Sequence, residues 1–286
     1  MEPIVEVKGL HHRYPNGFHA LRGVDVNIYP GEFVAIIGQN GSGKTTFVKH
    51  LNGLLRATSG VVRVNGQDVS RRKVSEMACS VGYCFQNPDH QIFCDSVYKE
   101  VAFGPKNLKL SQAEIDERVD EALGAVGLLH AKASHPRDLS KGQRQRVAVA
   151  AVLSMRPAVL NIDEPTTGQD YQDGLDMLNL IQRLNQAGHT ILFITHDMPM
   201  VARFARRVLV FRDGEILLDG TTQQVFSQVD ALRTTFLAPP QITQLAHALK
   251  EFFPDTVLSV DEMLDQALAL LEKRPSPKSA MAVMAP

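Results

Sequence analysis

The chain reads as an α/β fold built round a phosphate-binding loop. An antiparallel β layer stands beside it, a helical subdomain is inserted into it and a small helical unit follows. Three observations predict this. First, an apolar run at residues 33–37 leads into GQNGSGKTT at 38–46 and then FVKHL, a strand, a glycine-rich loop and a helix in that order. Second, further short apolar runs at 81–85, 159–162 and 190–194 each end on polar residues, as buried strands of a parallel sheet do. Third, between 86 and about 156 the periodicity turns helical.

Composition sets the outer limits. With 286 residues, 44% apolar and 21% charged, the chain can build one large core, or a main domain with an appendage. Thirty Lys+Arg against 31 Asp+Glu give a net charge of −1, so no bulk field points to nucleic acid, and none is expected as a partner. Cys79, Cys84 and Cys94 have no C-x-x-C spacing, and with His90 they still lack the ligand count for zinc. They are expected to be reduced thiols of a cytosolic protein. The first 14 residues lack the continuous apolar core of a signal peptide, and the longest apolar candidate, 147–155, contains Ser154. A membrane process would therefore be reached through partners.

In chain order, short strands are expected at 4–7 and 24–28 and before the loop, with a turn at 14–17 led by Tyr14. Residues 60–64 followed by Asn65 and Gly66 make a strand and hairpin turn. In the inserted helical subdomain, 96–156, Ser111 and Glu114 form a capping box, and Ile115, Val119, Ala122, Leu123 and Val126 make one apolar stripe ending at Gly127. Ser140 and Gln143 open another capped helix. Asp163 and Glu164 end the next strand, and His196 stands just past the one after it. Strand ends of a parallel sheet converge on the ligand crevice, so Gln86, Asp163, Glu164 and His196 are all expected near the loop. A hairpin at 208–218 turns on Asp213 and Gly214, and residues 1–220 form the main domain.

A C-terminal unit is expected at 221–274. Thr221 with Gln224 and Ser259 with Glu262 cap helix starts. Ile242, Leu245, Leu249 and Phe252 form one stripe; Val260, Met263, Leu264, Ala267, Leu268 and Leu271 form a second. The stripes either pack back on the main domain or meet a second subunit. The tail, 275–286, is expected to be disordered.

The loop matches G-x-x-x-x-G-K-[ST] at every fixed position. Gly38, Gly41 and Gly43 let backbone amides curl round a polyphosphate, with Gln39, Asn40, Ser42 and Thr46 completing the cradle. The following helix aims its positive end at the same anion, Lys44 supplies a point charge and the Thr45 hydroxyl is a ligand for Mg²⁺.

LSKGQRQRVAVA at 139–150, DEPTTGQD at 163–170 and His196 together resemble the ATP-binding cassette (ABC) family over residues 4–220. The resemblance implies that Tyr14 stacks on adenine and that residues 38–45 are the Walker A loop. Gln86 is then the Q-loop residue, linking Mg²⁺ and water to the groove of a transmembrane partner. Asp163 is the Walker B aspartate oriented on Mg²⁺, Glu164 the general base and His196 the switch histidine on the γ-phosphate. Ser140, Lys141, Gly142 and Gln143 of the signature motif would complete the ATP site of a second subunit, with Asp170 in the D-loop. The segment YCFQNPDHQIFCDSVYKEVAFGPKNL narrows the resemblance to the ATPase of energy-coupling factor and cobalt-type importers. That subfamily implies a paired ATPase, self or paralogue, an integral membrane coupling protein and a small membrane subunit that binds a vitamin or metal ion. Such a chain sits peripherally on the cytoplasmic face of the membrane.

Two residues depart from the family pattern. Lys141 stands where glycine is frequent, and is expected either near the partner's phosphates or in solvent. Asn161 interrupts an apolar strand, where an unpaired amide costs about 1 to 3 kcal/mol. A soluble cassette ATPase of DNA repair or translation and a stand-alone P-loop kinase are the competing readings. The first tends to carry paired cassettes or long coiled-coil insertions, and in the second the signature and D-loop segments would have no purpose.

Overall fold

The computed structural model describes residues 1–272, and the expected disorder at 275–286 falls outside the described residues. Strands β1 (Val5–Arg13) and β2 (His19–Ile28) pair antiparallel and bury alternate residues such as Val5, Val7, Val24 and Val26. Strand β3 (Phe33–Gly38) is buried along its whole length, as a central strand covered on both faces must be. It feeds helix α1 (Lys44–Leu51). Strands β4 (Ser59–Val64) and β5 (Gln67–Asp68) complete a first sheet of order β2-β1-β4-β5. Asn65 and Gly66 both take positive φ at the β4–β5 turn, as expected of that dipeptide.

After the short helix α2 (Val74–Met77) comes β6 (Val81–Cys84). The helical segment follows as α3 (Val97–Asn107), α4 (Gln112–Ala125) and α5 (Lys141–Leu153). Both expected capping boxes, Ser111 with Glu114 and Ser140 with Gln143, have their two reciprocal hydrogen bonds. The α4 stripe through Ile115, Val119, Ala122, Leu123 and Val126 is buried throughout. Then come β7 (Val159–Asp163), α6 (Tyr171–Gln186), β8 (Thr190–Ile194), α7 (Met198–Phe204), β9 (Arg207–Arg212) and β10 (Glu215–Thr221). The second sheet has the order β10-β9-β3-β8-β7-β6, parallel except for the β9–β10 hairpin.

Two apolar cores result. One lies between the sheets around Phe47, Val48 and Leu51 of α1. Burying these side chains, at about 1.5 to 3 kcal/mol each, is what lets so short a helix persist directly after the loop. The other core joins the opposite face of the large sheet to the helices. Asn161 sits in the first, 1% exposed, with Nδ2 3.5 Å from the Val48 carbonyl and no partner for Oδ1 among the described residues.

The boundary expected at residue 220 is not a break in packing. Helices α8 (Thr222–Ser227) and α9 (Val229–Arg233) send Val225, Phe226 and Leu232 into the main core. A separate small cluster begins later, with Ala246, Phe253 and Val257 between α10 (Gln241–Ala248) and α11 (Val260–Glu272). Much of the two predicted stripes stays in solvent: Leu245, Phe252, Leu264, Leu268 and Leu271 are each about half exposed. In this single chain the stripes therefore do not pack back on the main domain.

Candidate active site

The C-terminal ends of β3, β8, β7 and β6 lie along one edge, and a cavity of about 630 Å³ opens there. Gly38, Gln39, Asn40, Gly41, Gly43, Lys44, Thr45, Thr46, Gln86, Asp163, Glu164 and His196 all line it, with Phe18, Ala20, Ile194 and Leu237. The loop requires glycine at its two ends. A Cβ on Gly38 would fall 2.4 Å from the Phe211 carbonyl oxygen, and one on Gly43 2.7 Å from that of Ala20, both at positive φ. Gly43 also caps α1 without a side-chain hydrogen bond and the first turn holds no acid, so the opening amides of the helix are left for an anion.

Lys44 is nearly buried, and its Nζ donates to the carbonyls of Gly38 (2.7 Å) and Gln39 (2.9 Å). Burial pulls its pKa below the ordinary lysine value, against the opposing pull of Glu164 and Asp163. Asp163 Oδ2 accepts from the Tyr83 hydroxyl at 2.7 Å and from Thr45 Oγ1 at 3.3 Å. Burial raises the Asp163 pKa; the Tyr83 bond opposes this, the Glu164 charge adds to it, and Thr45 and Lys49 oppose it further. Burial and the same carboxylate push the Tyr83 phenol upward, so it remains a donor.

This donor set suits Mg²⁺. One carboxylate and one hydroxyl are hard oxygens, and the described residues hold no cluster of three or more His, Cys, Asp or Glu that would supply an all-protein cage. A small octahedral ion takes its remaining ligands from water and from substrate phosphates.

Glu164 follows directly, in the left-handed region at φ +46°, with its N–H donating to the Ile194 carbonyl (2.9 Å). Such a backbone costs of order 1 kcal/mol or more and fixes where the carboxylate points. Gln86 Nε2 (2.6 Å) and Thr167 Oγ1 (2.8 Å) both donate to Glu164 Oε2. The exposed His196 brings Nδ1 to 3.5 Å from Oε1. Two donors thus hold one oxygen of this cavity-lining carboxylate, and the histidine stands beside the other.

Several predicted residues lie apart. Tyr14 does not line the cavity: its hydroxyl meets Thr46 Oγ1 at 3.1 Å and its ring packs edge-on against His12. Ser42 is buried beneath the loop, with its Oγ unpaired among the described residues. Ser140, Gly142 and Gln143 start α5 outside the cavity, and Asp170 caps α6 through Asp173 N–H. Within this single chain Lys141 does not point to solvent alone. Its Nζ donates to the Thr167 carbonyl (3.1 Å), reaching across Gly168, and so joins the signature helix to the residue that holds Glu164. Sequence reading passed over Tyr83, Thr167 as a Glu164 partner, and Phe18. Only the register of β6 on β7, which sets Tyr83 beside Asn161, could have pointed to the first of them.

A phosphate loop whose cavity is completed by the carboxylates, glutamine and histidine of neighbouring strand ends defines a nucleotide-binding α/β cassette. The chain belongs to the ABC transporter family, whose profile matches residues 21–167. It is 48% identical over 261 residues to a putative ABC transporter ATP-binding protein of Caldanaerobacter subterraneus, covering 91% of this chain and 45% of that protein. The chain thus spans about half the length of that relative. It is 43% identical over 250 residues to the energy-coupling factor transporter ATP-binding protein EcfA of Methanocaldococcus jannaschii, covering 87% of this chain and 90% of that one. Among solved structures it is similar to cbiO1 of Clostridium perfringens, described as part of the ABC transporter complex cbiONQ. The TM-score is 0.75 at 38% identity, with 86% of this chain and all of that chain covered.

Proposed function

We propose that this chain is the ATP-hydrolysing subunit of a membrane importer of the energy-coupling factor type, driving uptake of a micronutrient such as a vitamin or transition-metal ion. The observation that carries the reading is the convergence of Lys44, Thr45, Gln86, Asp163, Glu164 and His196 on one cavity at the end of the loop. The names of the EcfA and cbiO1 relatives support the importer class over a repair or translation ATPase.

In this reading the loop amides and Lys44 bind the phosphates of ATP, and Tyr14 or Phe18 offers a ring to the adenine. Thr45, Asp163 and Gln86 would hold Mg²⁺, which would neutralise the phosphate charge. Glu164 takes a proton from the attacking water, a role worth about 10²- to 10⁴-fold in rate. Gln86 and Thr167 keep its Oε2 occupied, so Oε1 is the oxygen that meets the water. His196 orients the same water and the γ-phosphate. Ser140, Gly142 and Gln143, lying outside their own cavity, complete the site of a second cassette, a copy of this chain or a paralogue. The exposed stripes of α10 and α11 form a further contact within that pair.

The membrane coupling protein docks beside the Q-loop. There a groove of about 590 Å³ is lined by Asp89, Ile92, Phe93, Cys94, Asp95, His135, Pro136, Arg137 and Arg144. Exposed Phe93 stacks edge-on with Phe103 at its rim, and buried Glu100 accepts the amides of Phe93 and Cys94 to fix that loop. Among the described residues no helix is long and apolar enough to cross a membrane. In the proposed reading the chain works peripherally, on the cytoplasmic face of the membrane, through that coupling protein. The test is a mild-detergent pull-down of the full chain from membranes, with Phe93→Asp as control. An integral protein that co-purifies with the parent chain, is lost with Phe93→Asp and stimulates ATP hydrolysis supports the reading. Stimulation by DNA or ribosomes with no membrane protein recovered contradicts it.

A further inference from the structure

We infer that Tyr83 is a positioning residue for the magnesium-facing carboxylate, its hydroxyl holding Asp163 in one orientation; this rests on the ATP-site reading above. Tyr83 lies on β6, whose register with β7 pairs Tyr83 with Asn161 and so places it two residues short of Asp163, on the same face of the sheet. Two residues of strand span about 6.6 Å, which is the reach of a tyrosine ring and hydroxyl laid along the strand. The side chain makes that reach: its hydroxyl is 2.7 Å from Asp163 Oδ2. The ring is set by Phe85, whose ring meets it edge-on at 5.0 Å.

The consequence lies in how the two carboxylate oxygens are divided. Oδ2 accepts from both Tyr83 and Thr45, and among the described residues Oδ1 accepts no hydrogen bond from the protein. Rotation about the Cβ–Cγ bond would exchange the two oxygens, and the Tyr83 bond, the shorter of the two, is what opposes it. Thr45 alone is a poorer anchor, because its 3.3 Å bond is long for an O–H donor and its oxygen is itself wanted by the ion. Groups that hydrogen-bond a metal ligand from behind typically change metal affinity about 10- to 100-fold when removed.

Tyr83→Phe deletes the donor and keeps the ring on Phe85. The affinity of the purified full chain for a fluorescent ATP analogue is measured in EDTA and across a Mg²⁺ titration, and thermal unfolding is followed without nucleotide. The expected result is an EDTA affinity within about twofold of the parent, an unchanged unfolding midpoint, and a Mg²⁺ midpoint raised about tenfold. An unchanged Mg²⁺ midpoint in Tyr83→Phe, or an equal loss of affinity in EDTA and in Mg²⁺, overturns the proposal. Asp163→Asn is the reference: it should abolish the Mg²⁺-dependent tightening. If it leaves that tightening intact, the reading of the site fails, and the role of Tyr83 with it.

Discussion

Replacing Asn161 by valine should stabilise the protein. The amide is 1% exposed in the core under α1, its Nδ2 reaches only the Val48 carbonyl at 3.5 Å, and its Oδ1 has no partner among the described residues. A contact of that length is at the outer edge of hydrogen bonding. The unpaired carbonyl carries a desolvation penalty of about 1 to 3 kcal/mol, while valine suits a buried strand and adds apolar contact with Val48 and Leu192. Allowing for imperfect refilling of the space, the gain is about 1 to 2 kcal/mol. At about 2 to 4 °C per kcal/mol for a chain of this size, the unfolding midpoint should rise by about 2 to 8 °C. The assay is thermal unfolding without nucleotide, with ATP turnover as the control, since Asn161 does not line the cavity. An unchanged or lower midpoint would refute the reasoning, because it would mean that Oδ1 is satisfied. A tenfold loss of turnover would mean that the amide serves the site.

The Lys141 tether predicts a coupled pair. Gly168→Ala adds strain at φ +71° and a Cβ that would displace the Lys141 amine from the Thr167 carbonyl, so turnover should fall, and by less in a Lys141→Gly background, where only the strain remains. Equal losses in both backgrounds, measured as kcat, would show no coupling. Thr167→Val removes one of the two donors to Glu164 Oε2 and should lower kcat about three- to tenfold with KM for ATP unchanged; a change in KM alone would count against that role. Acidification supplies a separate test. Burial lowers the His50 pKa; the Thr46 carbonyl opposes this, and the neighbouring His12 adds to it. A base depressed in the folded state contributes stability above its ordinary value of about 6.5 and loses it as pH falls below that. The unfolding midpoint should therefore drop between pH 7 and 5, less steeply in His50→Gln, and identical slopes would refute it.

Much of this molecule was legible because its local signals agree with one another. The loop, the capping boxes at Ser111 and Ser140 and the Asn65-Gly66 and Asp213-Gly214 turns each require a residue type for a backbone reason, and the structure has them there. The convergence of Gln86, Asp163, Glu164 and His196 followed from parallel topology alone. Most of what escaped depends on register and side-chain direction. Helix α6 buries Met177, Leu178, Leu180, Ile181 and Leu184 at helical spacing, a stripe present in the sequence that the reading passed over. Tyr83 looked like one more strand residue until β6 was set against β7, and Lys141 looked like a surface cation until its amine met the Thr167 carbonyl. Residues 222–237 read as the start of an appendage, because nothing in the sequence marks which apolar face meets the main core.

The proposed function turns on two cassettes closing over shared ATP, and blocking Glu164, the proposed base for the attacking water, isolates that step. The Glu164→Gln chain should bind ATP without turning it over, and light scattering should show its mass doubling when MgATP is added and returning to that of one chain on nucleotide removal. A mass that stays that of a single chain at saturating MgATP, both alone and with its membrane partner supplied, would contradict it.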